Sequence, residues 1–138
     1  MIEGFRLSIQ IKPRYKDVDY LGHVNNAVYL TYFEEGRFAY CRHLNVLIPG
    51  ESPVSFIILD NYCKYERALT FHESVDLYVR VSNLGKKSFR FEYLMTLSGS
   101  EEVVATGYST AVAYDYSKNE TIPIPEDARA RIMEFESL

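Results

Sequence analysis

The stretch that most limits the fold is residues 27–44, AVYLTYFEEGRFAYCRHL, which has no proline and would make about five helical turns. Ala27, Leu30, Phe33, Arg37 and Cys41 share one face at helical spacing, and Tyr29, Tyr32, Gly36 and Tyr40 form a neighbouring stripe. Together they make an apolar and aromatic arc too wide for a helix resting on a protein's outside. Such a helix needs cover on most of its sides. Gly36 costs about 1 kcal/mol relative to alanine in mid-helix, so a close approach by another backbone is expected there.

The rest of the chain supplies that cover as strands. Phe5, Leu7, Ile9 and Ile11 alternate with polar residues before Pro13, the period of a half-buried strand. After the turn-rich IPGESP (48–53), residues 55–66, 74–81 and 88–97 and a long final run from Val103 read as four more strands. The turns NLGKK and SGSE are short enough to make the last three strands a meander. A short helix is expected from about Pro125, with the proline at its first position. One long helix and about five antiparallel strands make a single α+β domain over residues 1–138, its curved sheet wrapped around the helix.

Composition narrows the function. The formal net charge of −4 argues against nucleic acid as a partner, because phosphate backbones require a net positive face. Cys41 and Cys63 are the two cysteines and form no CxxC pair, which points away from a disulfide framework and toward the cytoplasm. No apolar run is long enough to span a bilayer, and the N-terminus has no signal-peptide core. His43 and His72 have no partners at ligand spacing, so no metal site is expected. Twelve tyrosines and eight phenylalanines suit pocket walls and subunit interfaces.

The chemistry concentrates in YKDVDYLGHVNN, residues 15–26, directly before the long helix. A turn needs little of it: Gly22 at positive φ, Asn25 or Asn26 as the helix cap, and Asp17 as a turn residue. Asp19 and His23 are left over. A helix start exposes backbone N–H groups without internal partners, and these stabilise developing negative charge. Donors so placed suit the oxyanion of an acyl-transfer step, and a carboxylate beside them can attack the carbonyl or activate water. Thioesters fit such a site because the thiolate leaves readily. No G-x-S-x-G elbow is present to suggest a serine hydrolase.

The stretch RYKDVDYLGHVNNAVYLTYFEEGR resembles the signature of hotdog-fold acyl-CoA thioesterases of the 4-hydroxybenzoyl-CoA thioesterase-like family: D-x-D, then G-H-V-N-N, then F-E-x-x-R on the long helix. The strands ESVDLYVRVSNLGKKSFRFEY and VVATGYSTAVAYD are similar to the family's later strands. The resemblance implies a hotdog domain assembled as a homodimer or homotetramer, with acyl-CoA sites between subunits. Coenzyme A would belong to the substrate, and no further cofactor would be needed. By position, Asp19 corresponds to the catalytic carboxylate, as nucleophile or general base, and His23 to the histidine that orients water or thioester. Tyr15 falls where some relatives place a supporting tyrosine, and Asn26 where others carry histidine or tyrosine. Gly22, Val24, Asn25 and Tyr29 are expected to border the substrate. Lys86, Lys87 and Arg90, around a hairpin, are candidates for the nucleotide phosphates, with a solvated turn as the alternative. Glu34 and Glu35 are read as structural or interfacial. A non-catalytic domain that binds acyl-CoA or acyl carrier protein is the competing function.

Overall fold

The computed structural model describes residues 2–138. Five long strands, β1 (Leu7–Ile11), β2 (Val54–Tyr65), β3 (Val75–Ser82), β4 (Ser88–Leu97) and β5 (Val103–Asp115), form one antiparallel sheet in the order β1-β3-β4-β5-β2. A short β6 (Glu120–Thr121) adds to β5. Helix α1 (Asn26–Leu44) crosses the inner face, and α2 (Glu126–Glu136) closes one end. The meander expected for β3, β4 and β5 is present, with Val81 opposite Phe91 and Tyr93 opposite Gly107.

The period-two alternation decides which sheet face meets α1. Val75, Leu77, Val79 and Val81 of β3 and Phe89, Phe91, Tyr93 and Met95 of β4 are almost fully buried and alternate with more exposed residues, an alternation that breaks at the buried Thr96, where the β4–β5 register shifts. Against them α1 buries Tyr29, Tyr32, Phe33, Gly36, Arg37, Tyr40 and Cys41, so both stripes read from the sequence are covered. Ala27, placed on that face by spacing, is exposed. Phe33 stacks on Tyr93 with ring centroids 4.1 Å apart. Gly36 does mark a close approach, but the neighbours are side chains rather than backbone. A Cβ there would lie 2.7 Å from Leu77 Cδ2 and 2.8 Å from Val79 Cγ2.

Pro125 is the cap residue before α2 rather than its first residue. The two-residue β6 escapes a periodicity reading because it has no alternation to show. It follows a turn built on Asp115, whose carboxylate accepts hydrogen bonds from the Ser117 and Lys118 N–H groups.

Candidate active site

A one-turn 3₁₀ helix, Tyr15–Asp17, starts the polar segment. Asp17 is 2% exposed, which its place in a surface connection did not suggest. Its carboxylate accepts hydrogen bonds from the Arg14 N–H at 2.8 Å, the Arg14 guanidinium at 3.1 and 3.3 Å, and the Tyr32 hydroxyl at 2.8 Å. Burial alone would raise its pKa, but these donors outweigh it and hold the carboxyl below the usual aspartate value. Asp17 thereby pins the connection to the flank of α1, and its carbonyl receives the Asn25 N–H at 2.9 Å.

Asp19, two residues on, is treated differently. Only its Oδ1 is used, accepting the Leu21 N–H at 2.9 Å and the His23 N–H at 3.2 Å. The Asp19 N–H in turn donates to the His23 carbonyl, and Gly22 N–H to the Asp19 carbonyl. Gly22 sits at φ +83°, the left-handed region this tight loop requires, with the turn role expected of it. Oδ2 has no hydrogen-bond partner among the described residues, so the loop fixes the carboxylate and leaves one oxygen free. The His23 backbone bridges to Thr70 and its side chain is exposed.

Val24 is buried and its N–H donates to the Leu69 carbonyl at 2.7 Å, anchoring the strand-like entry to α1. Asn25, not Asn26, caps the helix: its Oδ1 accepts the Ala27 N–H at 2.9 Å, and its carbonyl takes the Val28 N–H. The Asn26 N–H keeps no partner among the described residues. It is a donor at the positive end of a 19-residue helix. Tyr65, on the free edge of β2, donates its hydroxyl to the Asn26 carbonyl at 2.8 Å and meets the Tyr29 ring edge-on at 4.8 Å. Sequence reasoning missed Tyr65, which lies 39 residues from Asn26 and shows its relevance only through strand pairing.

Tyr29 is 2% exposed within the chain, packed between Tyr32 and Tyr65. Tyr15 is 80% exposed and forms only an edge-on contact with Phe71. Lys86 and Lys87 sit at the far end of β3, where Arg129 of α2 donates to the Lys86 carbonyl and Lys87 reaches Thr121. Arg90 stacks over Tyr108 on the outer sheet face. Within one chain these three cations do not join Asp19, because the α1 rod between the two ends is about 28 Å long. Glu34 lies 3.9 Å from the buried Arg37, whose guanidinium also donates to Tyr93.

A cavity of ≈690 Å³ lies along the middle of α1 between the β1 and β2 edges. Ile9, Arg37, Phe38, Phe56 and Ile58 are among its walls. Neither Asp19 nor His23 touches it. Among the described residues no cluster of three or more His, Cys, Asp or Glu is placed to hold a metal ion. None of their helices is long and apolar enough to cross a membrane.

A long helix inside a curved antiparallel sheet is the hotdog arrangement. Residues 13–132 match the model of the thioesterase-like superfamily, and the chain belongs to that family. The fold and the class of thioester hydrolase expected from the sequence are thus borne out. A thioesterase from Thermus thermophilus, crystallised with coenzyme A and zinc, superposes with a TM-score of 0.83. It is 33% identical, covering 99% of this chain and 98% of that one. The long-chain acyl-CoA thioesterase FadM of Escherichia coli is 24% identical over 91% of this chain and 96% of its own. An uncharacterized Bacillus subtilis protein, YsmA, is 29% identical over 66% of this chain, and the match spans 61% of YsmA's length.

Proposed function

We propose that the protein hydrolyses acyl-CoA thioesters to a free acid and coenzyme A, with Asp19 as nucleophile or general base. The observation that carries this reading is the free Oδ2 of a backbone-fixed Asp19 close in sequence to the unpartnered Asn26 N–H. In the general-base route, Asp19 takes a proton from water as the water oxygen adds to the thioester carbon. The Asn26 N–H stabilises the resulting oxyanion. Collapse then breaks the C–S bond, and the thiolate leaves and takes up the proton. His23, exposed on the same loop, orients the water or the thioester. Coenzyme A in the Thermus relative supports the substrate class.

The enzyme acts as a homodimer or homotetramer in this reading. The outer edge of β2 is unpaired over twelve residues and carries Leu59, Tyr62 and Tyr65 exposed, while Tyr20 and Leu21 stand out of the Asp19 loop at 95% and 66% exposure. A second copy covering these residues would enclose the thioester, which the single chain leaves open. Cys41 and Cys63 are both free thiols, as a cytoplasmic protein keeps them.

The test is thiol release from short, long, branched and aromatic acyl-CoAs by wild type and Asp19→Asn. The substitution is expected to lower kcat about 10³-fold, within the range for loss of a catalytic acid–base group, with folding midpoint and oligomer size unchanged. A variant that kept most of the rate would overturn the assignment of Asp19. A wild-type protein that released no thiol from any thioester would be a binding domain instead.

A further inference from the structure

We infer that Glu73, braced by Arg67, is a positioning residue for the reaction, fixing through Thr70 the loop arm that carries His23 and directs the Asp19 carboxylate; the inference rests on the thioesterase reading above. The loop is a miniature hairpin. Val18 pairs with Val24 across it, through the Asp19 N–H on the His23 carbonyl and the Asn25 N–H on the Asp17 carbonyl. Its outgoing arm is held to α1 by the bond between Asp17 and Tyr32. Its return arm, residues 23–25, has a second neighbour: His23 pairs with Thr70, and the Val24 N–H donates to the Leu69 carbonyl at 2.7 Å. Residues 69–70 are thus a third extended segment, laid beside the two that carry Asp19 and His23.

Leu69 is fully buried and sets the depth of that segment, while Thr70 is tied down by Glu73. One Glu73 carboxylate oxygen accepts both the Thr70 N–H and the Thr70 hydroxyl at 3.0 Å, and the Glu73 N–H closes the turn on the Thr70 carbonyl at 3.2 Å. The other oxygen takes Arg67 Nη2 at 3.0 Å. Both ends of this connection are fastened to the sheet. The Arg67 N–H reaches the Val104 carbonyl of β5, and the Ser74 carbonyl, next to Glu73, receives the Ser98 N–H. The Glu73 side chain therefore links the sheet to the Asp19 loop. Its donors, the Thr70 N–H foremost, hold the carboxyl below the usual glutamate value, so it is charged and accepting at neutral pH.

Stability alone does not account for the pair. Arg67 Nη1 is buried with no hydrogen-bond partner among the described residues, a cost to the folded state. The Arg67 and Glu73 side chains are 31% and 27% exposed, and an ion pair at such partly open positions contributes little. What the clamp supplies is direction. Asp19 Oδ1 accepts the His23 N–H at 3.2 Å, so a shift of the His23 backbone turns the carboxylate. Reaction rates respond steeply to such shifts, a misplacement of about 1 Å costing up to about 10²-fold.

The experiment measures kcat and KM for thiol release, the denaturant folding midpoint and amide hydrogen exchange in Glu73→Ala, Glu73→Gln and Arg67→Met. Glu73→Ala frees Thr70 and is expected to lower kcat about tenfold with KM changed less than about twofold, the split that follows when geometry at the reacting atoms is lost and substrate contacts are kept. Exchange at the Val24 and Asp19 amides should quicken about tenfold while the Val79 and Phe91 amides of the core keep their protection. Glu73→Gln keeps an oxygen for both Thr70 donors and should hold kcat within about threefold of wild type. Arg67→Met removes the brace and the unpaired nitrogen together, so kcat should fall about threefold with no loss in the midpoint. Wild-type kcat in Glu73→Ala, a change in KM alone, an Arg67→Met variant that is less stable yet fully active, or core amides that quicken as much as those of the loop would overturn the assignment. If the wild type releases no thiol, the thioesterase reading fails by itself. Loop exchange then decides the clamp: quickened Val24 and Asp19 amides in Glu73→Ala support it, and unchanged ones overturn it.

Discussion

The two ends of α1 use carboxylates in opposite ways. At the C-terminal end, Glu136 of α2 is 7% exposed, with two hydrogen bonds on one carboxylate oxygen and an ion pair at the other. It accepts the Tyr40 hydroxyl at 2.5 Å and the Val81 N–H at 3.0 Å, and Arg6 stands 3.7 Å from its second oxygen. Val81 lies beyond the point where β1 pairs with β3, so this acid also completes a sheet edge. At the N-terminal end, Asp19 has one oxygen bound by backbone and one open, a few residues before a helix donor that is also open. A buried carboxylate tied to buried donors stabilises the fold. A half-satisfied one, held rigidly by its loop, is prepared to react. Asp17 shows that sequence distance does not sort them. It sits two residues from Asp19 and belongs with Glu136.

The comparison predicts stability losses at one end and activity losses at the other. Glu136→Ala leaves the buried Tyr40 hydroxyl and the Val81 N–H unpaired, so a loss of about 3 kcal/mol is expected from chemical denaturation. Asp17→Asn comes next, at about 2 kcal/mol for weakened charge-assisted bonds to Arg14 and Tyr32. It also carries a pH signature. Because the folded-state pKa of Asp17 lies below the ordinary aspartate value of 3.8, its contribution is present above that value and lost as pH falls through the lower folded one. Stability measured in acid should therefore fall less steeply for Asp17→Asn than for wild type. Asp19→Ala should cost less than about 1 kcal/mol by chemical denaturation, since the loop amides it frees are near solvent. Equal losses at Glu136 and Asp19 would break the distinction.

Much of this was legible in the sequence because it is periodic or local. The alternation in β3 and β4 identified the buried face, and the breadth of apolar residues along 27–44 called for a surrounding sheet. Gly22 declared a turn, and the Asn25–Asn26 pair a cap without saying which of the two supplies it. What could not be read depended on contacts between distant residues. The burial of Asp17 is set by Tyr32 lying over it, and nothing in D-x-D distinguishes the acid that will be buried from the one that will stay open. Lys86 and Lys87 are legible in the sequence as cations beside a turn, but not the direction of β3, which carries them to the end that α2 closes in the same chain. The role of Tyr65 required knowing that β2 runs along the sheet's edge past the start of α1.

Tyr65 offers the smallest and most discriminating prediction. Its hydroxyl holds the Asn26 carbonyl, and burial with the nearby Cys63 pushes its pKa up to about 12, so it remains a donor at neutral pH. The ring is partly exposed and packs on Tyr29, and Tyr65→Phe keeps that packing while removing one hydrogen bond. The stability cost should be about 1 kcal/mol or less. If the hydroxyl only braces the fold, catalysis should follow the wild type. If it sets the orientation of the first helical turn, kcat should fall about three- to tenfold with KM unchanged, because an oxyanion donor acts in the transition state and not on bound substrate. That split would assign Tyr65 as a positioning residue. It would also show that the open end of α1 is kept in register by the same edge strand that a second subunit is proposed to cover.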